Sequence, residues 1–215
     1  MTTLSQLKTS VDNWLARDDI AVSNTDFTQM LLIAEAQIAR EVHCAIQETS
    51  TTLNFTGRSA NLPADFLRAR TPFVDDNTRK TEYMTPEVIR ESSAWNDGRV
   101  GSFYTVEGDM ASAVMKVVIA GPASVASPLS MDVYYYARFP ALVNGADTNW
   151  LLANHYDVYL YACLRAAGEY LQEDVLEDRY ATKFNVSAES LNRHELRKKF
   201  NGAAKQSYGS PRTVV

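Results

Sequence analysis

Three histidines, His43, His155 and His194, are the only imidazoles in the chain, and each stands alone. None has the HExxH spacing or the paired carboxylates that metal or proton chemistry requires. His155, directly before Tyr156-Asp157, reads as a helix-start residue, with Asp157 in a first turn where the helix dipole favours its charge. Cys44 and Cys163 fall inside helix-like apolar patterns with no Cys or His at metal-ligand spacing, so both read as buried free thiols. Serine is plentiful, yet no Gly-x-Ser-x-Gly elbow occurs. Gly98-Arg99-Val100-Gly101 is too short for a phosphate loop and lacks the following Lys-Ser/Thr. Asp75 and Asp76, beside Asn77, offer oxygen ligands to a hard cation but lack the glycine and distal glutamate of a calcium loop, so a solvated turn is the reading. The chain therefore predicts no catalytic residue, no metal site, no cofactor and no enzyme. Its work falls to surfaces.

Two groups of residues suit surface work. The formal net charge of −5 is unevenly spread: Arg193, Arg197, Lys198, Lys199, Lys205 and Arg212 against Glu195 alone give the stretch 193–215 a charge of +5, which leaves −10 on the rest. An acidic body with a basic end predicts an end that docks on an acidic partner, either a protein groove or nucleic acid. Phe200 and Tyr208 add apolar anchors to it. Tyr134-Tyr135-Tyr136 is the second group. On a strand, Tyr134 and Tyr136 face one side and Tyr135 the other, which fits both core packing and contact between subunits.

These residues need elements to hold them. Leu4, Leu7, Val11, Trp14 and Leu15 predict an amphipathic helix over 3–17. Ser23-Asn24-Thr25 offers caps for a longer second helix with the stripe Phe27, Met30, Leu31, Ala34, Ile38, Val42 and Ile46. Between Thr49 and Leu142 the pattern changes to short β-type runs at Leu53–Phe55, Leu67–Val74, Phe103–Val106, Val114–Ile119 and Met131–Tyr136. Every proline but Pro211 punctuates this block, and the short connections favour antiparallel pairing. Thr85-Pro86-Glu87, a cap followed by proline at the first helical position, predicts a short helix over Glu87–Ala94. Asp147-Thr148-Asn149-Trp150-Leu151-Leu152 marks the return to helix, with one stripe from Leu152 to Leu171. After Gln172-Glu173-Asp174 a fourth helix carries Leu176, Tyr180, Phe184 and Leu191. The stretch past Phe200 lacks the apolar surface to fold by itself.

At 215 residues and 24.0 kDa, the chain is long enough to bury a stable core without staples. The hydrophobic share of 46% and mean hydropathy of −0.25 are globular values. No apolar run approaches bilayer length, and Met1-Thr2-Thr3-Leu4-Ser5 lacks the features of a signal peptide, so no membrane is expected and the cytosol is the expected place of synthesis. The fold class is α+β, mainly α: a four-helix bundle from 1–48 and 149–192, an inserted antiparallel β-rich block at 49–148, and a basic C-terminal extension at 193–215.

The ordered series Asn61-Leu62-Pro63-Ala64-Asp65-Phe66-Leu67, Tyr83-Met84-Thr85-Pro86-Glu87, Tyr134-Tyr135-Tyr136 with Phe139-Pro140-Ala141-Leu142, Thr148-Asn149-Trp150-Leu151-Leu152 and Tyr159-Leu160-Tyr161-Ala162 resembles the head-to-tail adaptor, or head-completion, proteins of tailed bacteriophages, in particular short-tailed ones. It runs from about Leu4 to Leu191 and rests on several weak motifs in order. The resemblance implies a structural virion protein at the neck, assembled in the host cytoplasm. It implies a ring, usually of twelve copies, beneath the portal protein, offering a platform to tail or nozzle proteins and continuing the DNA channel. By analogy with related connectors, whose C-terminal extension grips the portal, Arg193, Arg197, Lys198, Lys199, Phe200, Lys205, Tyr208 and Arg212 become candidate portal-binding residues. Tyr134, Tyr135 and Tyr136 become candidate subunit-interface residues. A closed ring needs two different sticky faces on one subunit, and an acidic lumen would let genomic DNA pass without specific binding. The alternatives are a nucleic-acid-binding protein that uses its basic end, and a small-molecule enzyme, for which no acid-base pair is found.

Overall fold

The computed structural model describes residues 2–15, 24–70, 74–75, 81–93, 95, 103–109, 114–121 and 130–200. In chain order the elements are α1 (Leu4–Leu15), α2 (Asn24–Glu41), a 3-10 turn (Ala45–Gln47), β1 (Glu48–Asn54), β2 (Ser59–Asn61), β3 (Phe66–Ala69), β4 (Val74–Asp75), β5 (Glu82–Tyr83), α3 (Pro86–Glu91), β6 (Phe103–Asp109), β7 (Val114–Ile119), β8 (Ser130–Ala137), α4 (Trp150–Asn154), α5 (Tyr156–Leu171) and α6 (Asp174–Phe200). They divide into two compact units, Met1–Ala45 with Phe139–Val215, and Ile46–Arg138. The class is α+β.

In the helical unit, apolar spacing near 3.6 gives each long helix one inward stripe. Leu4, Leu7 and Val11 of α1 are buried. So are Phe27, Met30, Leu31, Ala34 and Ile38 of α2, and Val42 just beyond it. Ile46, expected to end that stripe, is exposed instead, because the helix stops at Glu41 and the 3-10 turn redirects the chain. The single helix expected after Trp150 is broken at His155 (φ −135°, ψ 60°), which closes α4 through a 2.7 Å bond from its amide to Leu151 O and serves as N-cap of α5. Asp157 lies in the first turn of α5, as expected. Gln172 ends α5 in the left-handed conformation (φ 56°), and Glu173 N returns to Gly168 O.

Buried on nearly every side, α5 is the axis of this unit. Tyr159 and Cys163 feel the charge of Glu35 on α2. On the other side Tyr161 stacks with Tyr180 of α6, and a Cβ on Gly168 would stand 2.7 Å from Glu177 N. At about 100° per residue these two sets lie roughly opposite each other around α5, so α2 and α6 cover opposite sides of it. The stretch expected to leave the fold at Arg193 stays helical to Phe200, because Leu191 and Glu195 continue the inward stripe one turn at a time.

The other unit holds two sheets, one with strand order β1-β8-β3 in which β4 also pairs with β8, the other with order β2-β7-β6-β5. Alternation puts Met131, Val133 and Tyr135 of β8 inward, opposite Leu53, Thr51 and Thr49 of β1. Met131, Val133 and Tyr135 share a core with Phe55, Tyr104, Val117 and Ile119. Pairing is antiparallel except between β5 and β6, which run parallel because α3 lies in their connection. That helix starts at Pro86 behind an extended Thr85, as its sequence predicts, and stops at Glu91, short of Ala94.

Candidate interaction surfaces

Residues 139–149 have no regular structure, yet the chain holds them firmly. Asn149 caps α4 by accepting from Leu152 N (2.9 Å), and its amide donates to Pro140 O (2.9 Å) and to the hydroxyl of buried Tyr159 (2.7 Å). Leu142 N donates to Glu35 of α2 (3.0 Å). Asp147 Oδ2 accepts from Val143 N and Asn144 N at 2.9 and 2.7 Å, and these bonds hold its carboxyl below the usual range. In turn Asp147 O and Gly145 O accept from Leu4 N and Ser5 N, two first-turn amides of α1 that its own helix cannot satisfy. A Cβ on Gly145 would stand 2.3 Å from Ser5 Oγ, so any larger residue there must turn the serine hydroxyl aside. The result is a pinned loop that presents Val143, 77% exposed, to solvent.

Two further apolar side chains are exposed in this unit. Leu32 and Ile33, 62% and 40% exposed, lie off the buried stripe of α2. Sequence reasoning passed over Leu32 and Ile33, although the signal was there: both fall off the predicted core stripe.

Across α5, α6 shows a different surface. Arg193, Arg197 and Lys198 stand exposed on this helix rather than in a loose tail. Arg193 pairs with Glu189, and Lys198 donates to Glu195 (2.7 Å). Glu195, only 4% exposed, accepts from Ala45 N (3.3 Å), while Asn192 accepts from His43 N and donates to Glu41 O, both at 2.7 Å. The last turns of α6 thus clasp the end of α2, a role invisible in the basic pattern. Lys199 and Phe200 belong to the helix backbone; Lys205, Tyr208 and Arg212 lie outside the described residues. Trp14, Tyr161 and Tyr180 surround Lys183 Nζ, with ring centroids 5.6, 5.4 and 5.3 Å away, and tie α1 to α5 and α6.

The tyrosine triplet separates as alternation requires. Tyr135 is buried, stacks on Phe66 at 5.6 Å and donates to Asp65 Oδ1 (3.1 Å), which removes it from any exposed interface. Tyr134 is exposed. Tyr136 is half-buried; it donates to Glu48 (2.9 Å) beneath the guanidinium of Arg68.

Of the remaining candidates, His155 and His194 line one shallow depression with Asp157 and Ser190, and burial keeps His155 below its ordinary pKa. His43 is elsewhere, its amide bound to Asn192. Cys44 and Cys163 are buried, and burial pushes both thiols up to about 12. No group of three His, Cys, Asp or Glu able to hold a metal occurs among the described residues, and no described helix is long and apolar enough to cross a membrane. The side chain of Asp75 is not described, and Asp76 and 98–101 lie outside the described residues.

A family model described as SU10 adaptor protein matches residues 2–213, which extends past Leu191 into the basic end. No curated protein matches the chain.

Proposed function

This chain belongs to the SU10 adaptor protein family, the structural adaptors of tailed phages, and from that premise we propose that its copies close into a ring joining the portal protein to the tail. The match over 2–213 carries this reading. The mechanism is geometric. A ring of adaptors extends the DNA conduit and turns the underside of the portal into a platform for tail proteins. In this reading α1, α2, α5 and α6 form the bundle, 46–138 is its β-rich insertion, and twelve copies match the expected portal symmetry. The net negative charge keeps passing DNA from sticking.

Portal contact falls to the basic end. Arg197 and Lys198 present charge at the end of a clasped helix, and Lys205, Tyr208 and Arg212 follow it. Since Asn192 and Glu195 also hold α2, the informative deletion removes 201–215 and leaves α6 whole. That variant is expected to fold and to lose portal binding, as read by co-sedimentation with portal rings. Continued decoration of the portal would sink the assignment of the tail. Electron microscopy of the full chain mixed with its portal tests the function itself: a ring beneath the portal is expected, and bare portals at saturating protein overturn the reading.

A further inference from the structure

We propose that Asn144-Gly145 is a modification site, a spontaneous deamidation to aspartate and isoaspartate that Asp147 holds shut in the folded chain and whose product releases the start of α1. The site lies in the pinned loop and needs neither ring nor portal.

Asparagine before glycine suits this reaction, because a residue without a Cβ leaves its amide nitrogen open to the side chain that precedes it. Gly145 N attacks Asn144 Cγ and loses its proton, the Cγ–Nδ2 bond breaks, and ammonia leaves a five-membered succinimide. Water then opens one of the two imide bonds, giving aspartate or isoaspartate, with no oxidant or further reactant consumed. Both residues are exposed, and among the described residues no group accepts from Gly145 N, so the attacking atom is free.

Asn144 is the restrained partner. Its N–H donates to Asp147 Oδ2 at 2.7 Å, its carbonyl accepts from Asp147 N at 2.8 Å, and its side-chain amide stands 3.4 Å from the same carboxylate oxygen. A flat five-membered ring eclipses Cβ and Gly145 N about the Cα–C bond, which sets ψ of Asn144 at about −120°, outside both ordinary wells. Because the peptide is planar, turning Gly145 N to that angle also swings the Asn144 carbonyl off Asp147 N. Charge adds a second barrier. The bonds from Val143 N and Asn144 N keep Asp147 ionised, and its charge opposes both loss of the Gly145 proton and the negative charge that gathers on the side-chain oxygen as the ring closes. Once formed, isoaspartate routes the main chain through the former side chain and lengthens it by one carbon. Gly145 O and Asp147 O, which accept from Ser5 N and Leu4 N at 3.0 Å each, are then displaced, and the first turn of α1 loses its acceptors.

The test follows deamidation of the full chain at mildly alkaline pH by peptide mass mapping, native and in denaturing urea. Asn201-Gly202, the other Asn-Gly pair in the chain, is read in the same urea samples as a clock for an open pair. The two pairs are expected to react alike in urea, and Asn144 at least about tenfold more slowly in the folded chain. Asp147→Asn keeps an oxygen acceptor without the charge, Asp147→Ala removes both, and circular dichroism confirms that each is folded. The Asn144 rate is expected to rise from wild type to Asp147→Asn to Asp147→Ala. A folded wild type that reacts at its urea rate overturns the protection, whether or not the variants fold. Folded variants no faster than wild type overturn the part given to Asp147. In the purified isoaspartate form the amides of Leu4 and Ser5 are expected to exchange with deuterium about tenfold faster, and unchanged exchange overturns the release of α1.

Discussion

In the helical unit the polar side chains serve the main chain: Asn149, Glu35, Asp147, Asn192 and Glu195 all bond to backbone groups at helix ends or in the 139–149 loop. In the β unit Gln47 and Arg58 reach the carbonyls of Ala137 and Gly121, but more of the described polar side chains bond one another, Tyr135 to Asp65, Tyr136 to Glu48, Arg70 to Glu48 and Thr52 to Asp132. The reason lies in the backbone. A strand ladder satisfies its own amides and carbonyls, whereas helix ends and loops leave orphans that something must bind. Polar residues in the helical unit are therefore structural parts, and those of the β unit are mostly braces across strands.

The contrast makes ranked predictions. Asn149→Ala removes a cap, leaves Pro140 O without its donor and strips the buried Tyr159 hydroxyl of its partner, so it is expected to cost about 3 kcal/mol in urea unfolding followed by circular dichroism. Gly168→Ala drives a methyl group into the Glu177 backbone and forces α5 and α6 apart, a loss of about 2 kcal/mol in the same assay. Tyr135→Phe in the β unit keeps the ring in the core and deletes one hydrogen bond, for about 1 kcal/mol. If Tyr135→Phe proves costlier than Asn149→Ala, the division of labour between the units is wrong.

The same contrast explains what the sequence could reveal. Helix positions followed from apolar spacing, and strands β6, β7 and β8 from β-branched and aromatic runs, because both patterns are set by one buried face, whereas β1 was met only at Leu53 and Asn54. Strands β2 and β5 escaped notice; at three and two residues they carry too little alternation to register. The break at His155 was half legible: the residue read as a helix start, but Trp150, Leu151 and Leu152 belong to the same apolar stretch as α5, and only a backbone angle separates the helices. The basic run 193–199 read as a docking extension because its inward residue, Glu195, is polar and, like Asn192 just before it, binds backbone groups that only the folded chain brings near. For the same reason the interaction surfaces were half legible. Alternation set Tyr135 apart from Tyr134 and Tyr136, but only the folded sheet shows that Tyr135 is the inward one, and Val143 is held in place by distant residues that fix its loop.

Glu35 sharpens the comparison most finely, since it is a carboxylate in backbone service that the fold does not welcome in its charged form. Burial raises its pKa above the usual 4.5, and the bond from Leu142 N offsets only part of that. The folded state therefore keeps the proton to higher pH than the unfolded chain does. Its contribution to stability is fully present below pH 4.5 and is lost as pH rises through the raised folded value. Glu35→Gln keeps an oxygen for Leu142 N and carries no charge. Urea midpoints of the two proteins are expected to converge in acid and to separate as pH rises from about 4 to 7 in favour of Gln, by the smallest margin of the four. A wild type that gains on Glu35→Gln over that range would mean that the ionised carboxylate is stabilised by its amide partner more than burial penalises it, and the loop would then be held by charge as well as by shape.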